Sequence, residues 1–408
     1  MPRAARDPVK IVCFDEAVAF GGSVVVLAHL FNHIDRSRYV PKLVTSLDEA
    51  SIRLLFKEED ILHRFRLPLD YSSRAQWMQK IPSAPALIRR CWAYLFTVAA
   101  LFVNAPQYLR LLWKIQRFEP ELVHANNGRE GPRFSRILNI PMVWHLHGIS
   151  ENFVRTAYRA NEKDAKFVCI SRYISSSLMA QGVERERIFD VPNPAPLPTS
   201  DVSGRDEWRA QRNISGDCVV FAHVGRLVRW KGQLEFLKAF HRTAAACPHA
   251  VALIVGADAE KLNNDYPEEL RKFVSENGLS KRVIFTGHVT NIVQVMSYCD
   301  VVVHSSIEPE PFGLVITEAM SVGAAVVAAN LGAPVEIIDD HETGFLVDPV
   351  DAVHFSDVLS RLAQDGALRK RLGTAAREVV CRRYAPQTFA RQLESVYDVV
   401  LSDHAHDR

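Results

Sequence analysis

The chain contains no Cys-x-x-Cys pair, although it has 408 residues and seven cysteines scattered between Cys13 and Cys381. The chain therefore lacks the cysteine spacing that is usual in zinc sites and in redox-active dithiol sites. Several of the cysteines lie inside apolar runs, which favours buried free thiols over disulfide bonds. The cysteines therefore indicate a reducing compartment, and we expect the protein to be cytoplasmic.

An excess of charge of one sign is also lacking, since 49 lysines and arginines stand against 47 aspartates and glutamates, for a net charge of +2. No basic run is long enough to form a nucleic-acid-binding tail, so we expect no nucleic-acid partner. The first residues are basic, but no apolar segment of the kind found in signal peptides follows them. The sequence thus predicts no secretory signal.

The chain is rich in short apolar runs, many of them built from valine and isoleucine. Such runs are typical of parallel strands buried on both faces, and their alternation with helix-like segments predicts βαβ units. The chain is too long for one core, so we expect two doubly wound α/β domains. The predicted strands are 10–15, 39–46, 122–125, 142–147, 167–170 and 188–191 in the first half, and 218–224, 251–255, 283–286, 301–304, 325–329 and 345–347 in the second.

A proline-rich segment, 192–198, separates the two halves. It places the first domain at 1–198 and the second at 199–385. In doubly wound sheets, ligands bind beyond the carboxyl ends of the strands. We therefore expect the two domains to face each other across a deep cleft that holds the ligand.

The most informative stretch is 308–318, which reads Glu-Pro-Glu-Pro-Phe-Gly-Leu-Val-Ile-Thr-Glu. An apolar strand precedes it and a helix-like run follows it, so Glu310 lies on a turn and Glu318 lies about one turn into a helix. Unpaired amides at a helix start attract an anion such as a diphosphate. The Glu318 carboxylate could accept hydrogen bonds from sugar hydroxyls. The stretch therefore predicts a site for a phosphorylated sugar, with amides from Phe312, Gly313 and Leu314.

Two cations follow the first strand of the second half. Arg226 and Lys231 flank a predicted turn, where they could neutralise a diphosphate leaving group. They could instead be solvated surface side chains, but the acidic stretch downstream favours the functional interpretation. The chain has no Asp-x-Asp pair to hold a metal ion, so we expect the two cations to take its place.

These motifs resemble those of the retaining GT-B glycosyltransferases of family 4, also called glycosyl transferases group 1. The resemblance covers most of the chain and is more specific in the second half. The matching pieces in the first half are Gly21-Gly22, His145-Leu146-His147-Gly148 and 170–174. Those in the second half are Gly225-Arg226-Leu227, Lys231-Gly232, Glu310-Pro311-Phe312-Gly313, Glu318-Ala319-Met320, Gly323, 332–336 and 344–349.

The resemblance implies two facing Rossmann-like domains and a role for each matching residue. Arg226 and Lys231 would bind the donor's phosphates, Glu310 would lie near the transferred sugar, and Glu318 would hold the ribose hydroxyls. His147 would contact the sugar and the acceptor. The last helix, 386–403, would pack back on the first domain. No metal and no cofactor is implied, and the donor-binding residues would include Gly21, Gly22, Gly225, Phe312, Gly313 and Leu314.

For two of these features, the residues alone leave a second interpretation open. A lone histidine at a strand end is often a core residue satisfied by the backbone, which is the alternative for His147. His145 lies on the same face of the strand and is a weaker candidate. Gly21-Gly22 allows close approach of a ligand but lacks the full Gly-x-Gly-x-x-Gly pattern of dinucleotide sites.

The resemblance further implies transfer of a sugar from a nucleoside-diphosphate sugar to an acceptor hydroxyl, with retention of anomeric configuration. The acceptor would be a glycan, a lipid-linked molecule or a small molecule, and the reaction would serve cell-surface polysaccharide or glycolipid assembly. Two alternatives stay open. One is a sugar-nucleotide epimerase of similar two-domain fold, and the other is an inactive regulatory subunit that binds sugar nucleotides.

One apolar run, 91–103, raises the question of a membrane. Its thirteen residues are too few to span a bilayer, and we expect Pro106 to interrupt the segment. Basic residues flank the run, so 89–117 could lie on an anionic membrane surface at the inner face of the cytoplasmic membrane. The segment could equally be a helix buried in the first domain or a contact between subunits.

Overall fold

In a computed structural model, the chain forms two compact units, each built on a parallel sheet with helices. This confirms the predicted fold class. The structure describes residues 7–16, 21–65, 85–148, 165–196, 202–258 and 265–406. The predicted boundary at 198 lies outside these residues. By their contacts, the first unit comprises Met1–Val168, Val183–Phe189 and Ala390–Arg408, and the second comprises Cys169–Gly182 and Asp190–Phe389.

The first unit contains a seven-stranded sheet with the order β3-β2-β1-β4-β5-β6-β7. Parallel pairs join β1 to β2 and β4, β2 to β3, and β4 to β5. Because the order reverses between β1 and β4, a crevice opens beyond the carboxyl ends of these two strands. The strands are β1 (Val9–Asp15), β2 (Tyr39–Thr45), β3 (Ile61–Arg64), β4 (Leu122–Asn126), β5 (Met142–Leu146), β6 (Lys166–Cys169) and β7 (Ile188–Asp190).

A central strand of this sheet, β1, is covered on both faces. Every side chain of β1 from Ile11 to Phe14 is at most 2% exposed, as expected of a central parallel strand. The ring of Phe14 stacks on Phe134 with centroids 5.4 Å apart. The helices that follow these strands in the chain are α1 (Gly22–His33), α2 (Glu49–Leu55), α3 (Ala86–Phe118), α4 (Glu130–Leu138) and α5 (Arg172–Ala180).

Helix α3 corrects one prediction. Pro106 does not interrupt the apolar segment, because the helix runs unbroken through it. A proline inside a helix removes one backbone hydrogen bond, here to the carbonyl of Phe102. Phe102 is 76% exposed, so water can satisfy that carbonyl. The apolar segment is therefore longer than expected, and by length and composition alone Cys91–Phe118 could cross a membrane.

The second unit contains a six-stranded sheet with the order β10-β9-β8-β11-β12-β13, all of its paired strands being parallel. The order reverses between β8 and β11, which places a second crevice beyond their carboxyl ends. The strands are β8 (Val219–Val224), β9 (Ala250–Val255), β10 (Val283–Gly287), β11 (Val301–His304), β12 (Ala325–Ala329) and β13 (Phe345–Val347).

The core of the second unit includes a cluster of phenylalanine rings from β8 and two helices. The Phe236 ring lies 5.9 Å from that of Phe240 and 6.5 Å from that of Phe355, and all three are fully buried. The remaining helices are α6 (Arg205–Ala210), α7 (Gln233–Ala246), α8 (Tyr266–Glu276), α9 (Ile292–Ser297), α10 (Leu314–Ser321), α11 (Pro334–Ile337), α12 (Ala352–Gln364), α13 (Gly366–Arg383) and α14 (Pro386–His406).

The last helix, α14, returns to the first unit. The hydroxyl of Tyr397 is hydrogen-bonded to Nδ1 of His124 on β4 at 2.8 Å, and both residues are fully buried. The Tyr397 ring also packs edge-on against Tyr39 at 5.7 Å. The carboxylate of Glu394 accepts a hydrogen bond from the amide of Asp35 at 2.8 Å. These contacts fix the helix against β2 and β4.

Replacing Tyr397 by phenylalanine should lower the free energy of unfolding by about 1–3 kcal/mol, because a ring nitrogen of the buried His124 would lose its partner. Urea denaturation followed by circular dichroism measures this. Val399→Ala, an exposed change on the same helix, should stay within about 0.5 kcal/mol of the wild type. Equal unfolding midpoints for Tyr397→Phe and the wild type would contradict the expectation.

Candidate active site

The candidate donor site lies where β8 and β11 end in the second unit. β8 is followed by Gly225, and β11 ends at His304. A short 3-10 helix, Arg229–Lys231, brings the chain back to these strand ends, and the stem of Lys231 lies against Gly225. The sheet order reverses at this point, which is the usual place for a ligand in an open α/β sheet.

Gly232 allows Lys231 to take this position. Its φ is +71°, and a Cβ atom there would lie 1.8 Å from the carbonyl oxygen of Ser305. In return, the Ser305 hydroxyl donates to the Gly232 carbonyl at 2.7 Å. The turn after β8 is thereby clamped to the turn after β11, so Lys231 and Glu310 are held together across 79 positions of the chain.

Lys231 and Glu310 form a nearly buried ion pair. Nζ of Lys231 donates to both carboxylate oxygens, at 2.8 and 2.7 Å, and the two side chains are 14% and 13% exposed. Nε2 of His304 lies 3.2 Å from Oε2, and the Ser306 hydroxyl donates to the same oxygen at 3.0 Å. Three different side chains thus fix one carboxylate.

These neighbours decide the charge of Glu310. Burial alone would raise its pKa, but the hydrogen bond from His304 and the positive charge of Lys231 outweigh burial and hold the pKa at about 2. Burial lowers the pKa of Lys231, and the charge of Glu310 opposes that effect. Glu310 is therefore anionic at any physiological pH.

His304 and Ser306 are site residues that the sequence reasoning missed. Both are buried, and both bond to Glu310 and approach each other at 3.2 Å. Their types form no recognised motif. The signal that could have found them is their position, because they lie at the end of a central strand directly before the acidic stretch.

The amides at the start of α10 have no partner within the described part of the chain, from Phe312 to Val315. Gly313, with a φ of +100°, is the residue before the helix. The Phe312 ring is buried against Tyr384, at 6.0 Å between centroids, which fixes the turn. The predicted amide donors are thus available to an anion.

Glu318 has the opposite environment to Glu310. It lies half-buried on α10, and no donor or cation from the described residues contacts its carboxylate. Burial raises the pKa of Glu318 to about 7. A carboxyl group in this state lacks the donors that would stabilise its charge, and ligand hydroxyls could supply them.

Arg226 is exposed directly after Gly225, and its charge contributes to lowering the pKa of Lys231, so the two cations lie close enough to interact. The carbonyl of Arg226 accepts a hydrogen bond from the Gln233 side chain at 2.8 Å, which fixes the turn. In the described part of the chain, no group of three or more metal-ligating side chains is arranged to hold a metal ion.

The 332–336 stretch packs against the backbone of the candidate donor site at Glu310. A Cβ atom at Gly332 would lie 2.6 Å from the carbonyl oxygen of Glu310, so these backbones touch. The Glu336 carboxylate accepts hydrogen bonds from the amides of Arg172 and Tyr173, at 2.8 and 2.7 Å. Glu336 thus caps the start of α5.

The structure places Gly21, Gly22 and His147 in the first unit and the other predicted residues in the second. Gly21 directly precedes α1, which begins at Gly22, and residues 17–20 lie outside the described ranges. His147 follows β5, and its Nε2 is hydrogen-bonded to Oδ1 of Asn126 at 2.7 Å. The ring is therefore held by a side chain rather than by the backbone.

Three histidine rings, those of His124, His145 and His147, lie next to one another near the end of β5. The His145 ring is fully buried, 5.4 Å from His124 and 4.3 Å from His147. Burial, and then His124, lower the pKa of His147 to about 3. Burial, and then His147 and His124, lower the pKa of His145 well below its usual value. His147 is therefore neutral at pH 7.

The fold carries two cations, two acidic side chains and a helix start whose amides have no partner among the described residues. This combination is typical of the two-domain glycosyltransferases that use nucleotide sugars. Two family descriptions match the chain: Glycosyl transferases group 1 over residues 204–379, and Glycosyltransferase Family 4 over residues 20–197. The chain belongs to the retaining GT-B glycosyltransferases of family 4.

Individual relatives are more distant. D-inositol 3-phosphate glycosyltransferase of Corynebacterium diphtheriae is 29% identical over 327 residues, which are 72% of this chain and 75% of the relative. Human alpha-1,3/1,6-mannosyltransferase ALG2 is 34% identical, but the match spans only 35% of each chain. The structure of Anabaena Alr3699/HepE with UDP and glucose has a TM-score of 0.77 at 24% identity, covering 96% of this chain and 100% of that one. This likeness confirms the fold.

Glu318→Gln should change how stability depends on pH. The pKa of Glu318 is raised in the folded protein, so its contribution to stability is present below about pH 4.5 and is lost as the pH rises through about 7. The neutral glutamine has no such loss. Relative to the wild type, the variant should therefore gain up to about 3 kcal/mol between pH 4.5 and 8.

Urea unfolding at a series of pH values measures this difference. Glu378→Gln, an exposed change on α13, serves as the control and should follow the wild type. A Glu318→Gln curve that runs parallel to that of the wild type at every pH would contradict the expectation.

Proposed function

We propose that this protein transfers a sugar from a nucleoside-diphosphate sugar to an acceptor hydroxyl during assembly of a cell-surface polysaccharide or glycolipid. The observation that carries the proposal is the buried Lys231–Glu310 pair beside the unpaired amides that begin α10. The turn after β8 offers a fixed positive charge, and the turn between β11 and α10 offers a fixed carboxylate and N–H donors that have no partner among the described residues. A diphosphate and its attached sugar need these three features.

The residues have distinct roles in this mechanism. Arg226, Lys231 and the amides at Gly313 and Leu314 stabilise the diphosphate as the bond to the anomeric carbon breaks. Glu310, held anionic, accepts hydrogen bonds from the sugar. The acceptor oxygen attacks on the face from which the diphosphate leaves, and its proton passes to the leaving phosphate oxygen. That geometry retains the anomeric configuration.

The named relatives favour this class of substrate. One relative, from Staphylococcus aureus, is a capsular polysaccharide biosynthesis glycosyltransferase, 26% identical over 47% of this chain. UDP-glucose is bound in a HepE structure that shares the fold. We infer that a UDP-sugar is the donor to test first, with lipid-linked glycans and small polyols as acceptors.

Incubating the protein with a panel of sugar nucleotides and acceptors should release free nucleoside diphosphate and yield a glycosylated acceptor. Chromatography with mass spectrometry measures both products. A changed sugar on an intact nucleotide would instead identify an epimerase. Tight binding without turnover would identify an inactive regulatory subunit. Either result would overturn the proposal.

Lys231→Ala should weaken binding of the nucleoside diphosphate by about 10- to 100-fold, because it removes one charge-assisted hydrogen bond to phosphate. Calorimetry and the ligand-induced rise in melting temperature measure this. Lys238→Ala removes an exposed lysine on α7 and is the matched control. Unchanged diphosphate binding by Lys231→Ala would remove Lys231 from the phosphate site.

Glu310→Gln should bind the diphosphate normally yet transfer no sugar.

We further propose that the enzyme works at an anionic membrane surface, through α3. The 33-residue helix contains no acidic residue. Five of its exposed apolar residues recur every seven positions and then after four, at Ile88, Leu95, Phe102, Leu109 and Trp113, which is a single stripe. The exposed Tyr94 and Val103 are each adjacent in the chain to a member of the stripe. Arg110 and Arg117 lie beside the stripe, where they could meet anionic head groups.

The opposite side of α3 is held by the protein itself. Leu111 and Ile115 are fully buried, and Nζ of Lys114 donates to the carbonyl of Leu62 at 3.3 Å. The ring of Tyr108 packs against Phe65 at 5.3 Å. A helix bound along one side to its own domain is suited to lie in the membrane interface rather than to span the bilayer. Binding to acidic lipid is also favoured over binding to a second copy, because a second copy would bring like charges together.

The double variant Phe102→Ser/Leu109→Ser should bind vesicles that contain phosphatidylglycerol at least tenfold more weakly than the wild type, since it removes two apolar anchors. Vesicle co-sedimentation measures this. Leu54→Ser, an equally exposed change on α2, is the control. Equal sedimentation of all three proteins would contradict the proposal. A wild-type dimer in light scattering that the double variant abolishes would identify a subunit contact instead.

A further inference from the structure

Three polar side chains lie in a row where β1, β4 and β5 end. Asp15 is the last residue of β1, Asn126 is the last residue of β4, and His147 directly follows β5. These strands are neighbours, and their register pairs Asp15 with Asn126 and Asn126 with His145. Because the sheet order reverses between β1 and β4, the row lies at the crevice where a ligand is expected.

The neighbours of Asn126 fix the orientation of its amide group. Nδ2 donates to Oδ1 of Asp15 at 2.9 Å and lies 3.3 Å from the carbonyl oxygen of Ser23. Both of these atoms are acceptors. A flipped amide would bring Oδ1 of Asn126 against them, with no proton to share. Oδ1 therefore points to His147.

The orientation of Asn126 in turn determines which nitrogen of His147 carries the proton. Oδ1 of Asn126 only accepts, so Nε2 of His147, 2.7 Å away, must be the donor. The backbone of His147 is also fixed, because its amide donates to Oδ1 of Asn127 at 2.9 Å. In the neutral ring, the remaining nitrogen, Nδ1, is an acceptor. It has no partner within the described ranges of the chain.

The groups packed around this ring favour its neutral form. His145 on β5 and His124 on β4 stand behind it, and Tyr397 of α14 bonds to His124. Asp15 on β1 is the negative charge in the row, but Asn126 separates it from the imidazole. A carboxylate in direct contact would favour the imidazolium, in which Nδ1 carries a proton and can no longer accept.

We propose that Asp15 and Asn126 are positioning residues which hold His147 in its Nε2–H tautomer, so that Nδ1 accepts a hydrogen bond from a hydroxyl group of the transferred sugar. The inference rests on the proposed function for the identity of the ligand. The tautomer itself rests only on the geometry of the row. Asn126 acts as a spacer between Asp15 and His147. Asp15 orients the amide of Asn126, which in turn orients the proton of His147, and the Asp15 carboxylate stays out of contact with the imidazole ring.

Long-range proton–nitrogen NMR of 15N-histidine-labelled protein tests the tautomer. The His147 signals are identified by their loss in His147→Gln. At pH 7, Nε2 should carry the proton and Nδ1 should not. The Nδ1 resonance should move when UDP-glucose, or the sugar nucleotide selected by the transfer assay, is added, and should stay in place with the nucleoside diphosphate alone. A protonated Nδ1, or an Nδ1 signal that ignores the sugar, overturns the proposal.

A reciprocal exchange, Asp15→Asn with Asn126→Asp, tests the role of the spacer. It keeps the net charge and a hydrogen-bonding row but moves the carboxylate next to Nε2. His147 should then bind a second proton between about pH 5 and 8. Values of kcat/KM should fall about tenfold at the acidic end, the factor expected for one lost hydrogen bond, and recover as the pH rises.

A merely structural role would give a different result, because misfolding around the row would lower kcat/KM equally at every pH. An exchange variant with a pH profile parallel to that of the wild type therefore overturns the proposal. Thermal shifts with the nucleoside diphosphate check that the second unit of the variant is intact. If the protein transfers no sugar, the proposed function fails, while the NMR measurement still decides the tautomer and the contact with bound sugar nucleotide.

Discussion

The candidate donor site depends on a buried ion pair that the sheet topology makes possible. Taking Lys231 and Glu310 out of water is costly, and their attraction offsets that cost only when further donors complete the carboxylate. His304 and Ser306 supply those donors from the end of β11. The pair therefore needs β8 and β11 to be neighbours and to end at the same edge. A reversal of strand order between them provides both conditions, together with a crevice for the ligand.

In the first unit, neighbouring strand ends also bring polar side chains together, but these side chains are mainly neutral. There β1, β4 and β5 also end at one edge, yet they bring together an amide and an imidazole with a single carboxylate at the far end of the row. The second unit concentrates charge where a diphosphate would bind. The first unit keeps charge one residue away from His147. Two similar sheets thus hold different polar groups at the same kind of edge, charged in the second unit and mainly neutral in the first.

The sequence predicted the central strands well, because runs such as Val301–His304 are continuous and apolar. It missed β3, whose four residues include His63 and Arg64. Lys231 and Glu310 were predicted from separate motifs, but their pairing was not, since spacing along a chain gives no distance across a sheet. Asn126 was missed for the same reason, because its partners Asp15 and His147 belong to neighbouring strands or follow them. His304 and Ser306 lie close to Glu310 in the sequence, but they were missed because their residue types form no recognised motif.

Glu310 and Glu318 show how far environment can separate two identical side chains eight positions apart. A cation and two further donors hold the pKa of Glu310 at about 2, whereas burial without partners raises that of Glu318 to about 7. Glu310 is therefore anionic before any ligand arrives. Glu318 gains stable charge only when a ligand supplies hydroxyl donors, and it must release a proton as it does so. A ligand that donated hydroxyl hydrogen bonds to Glu318 would restore the stability that burial of its charge removes.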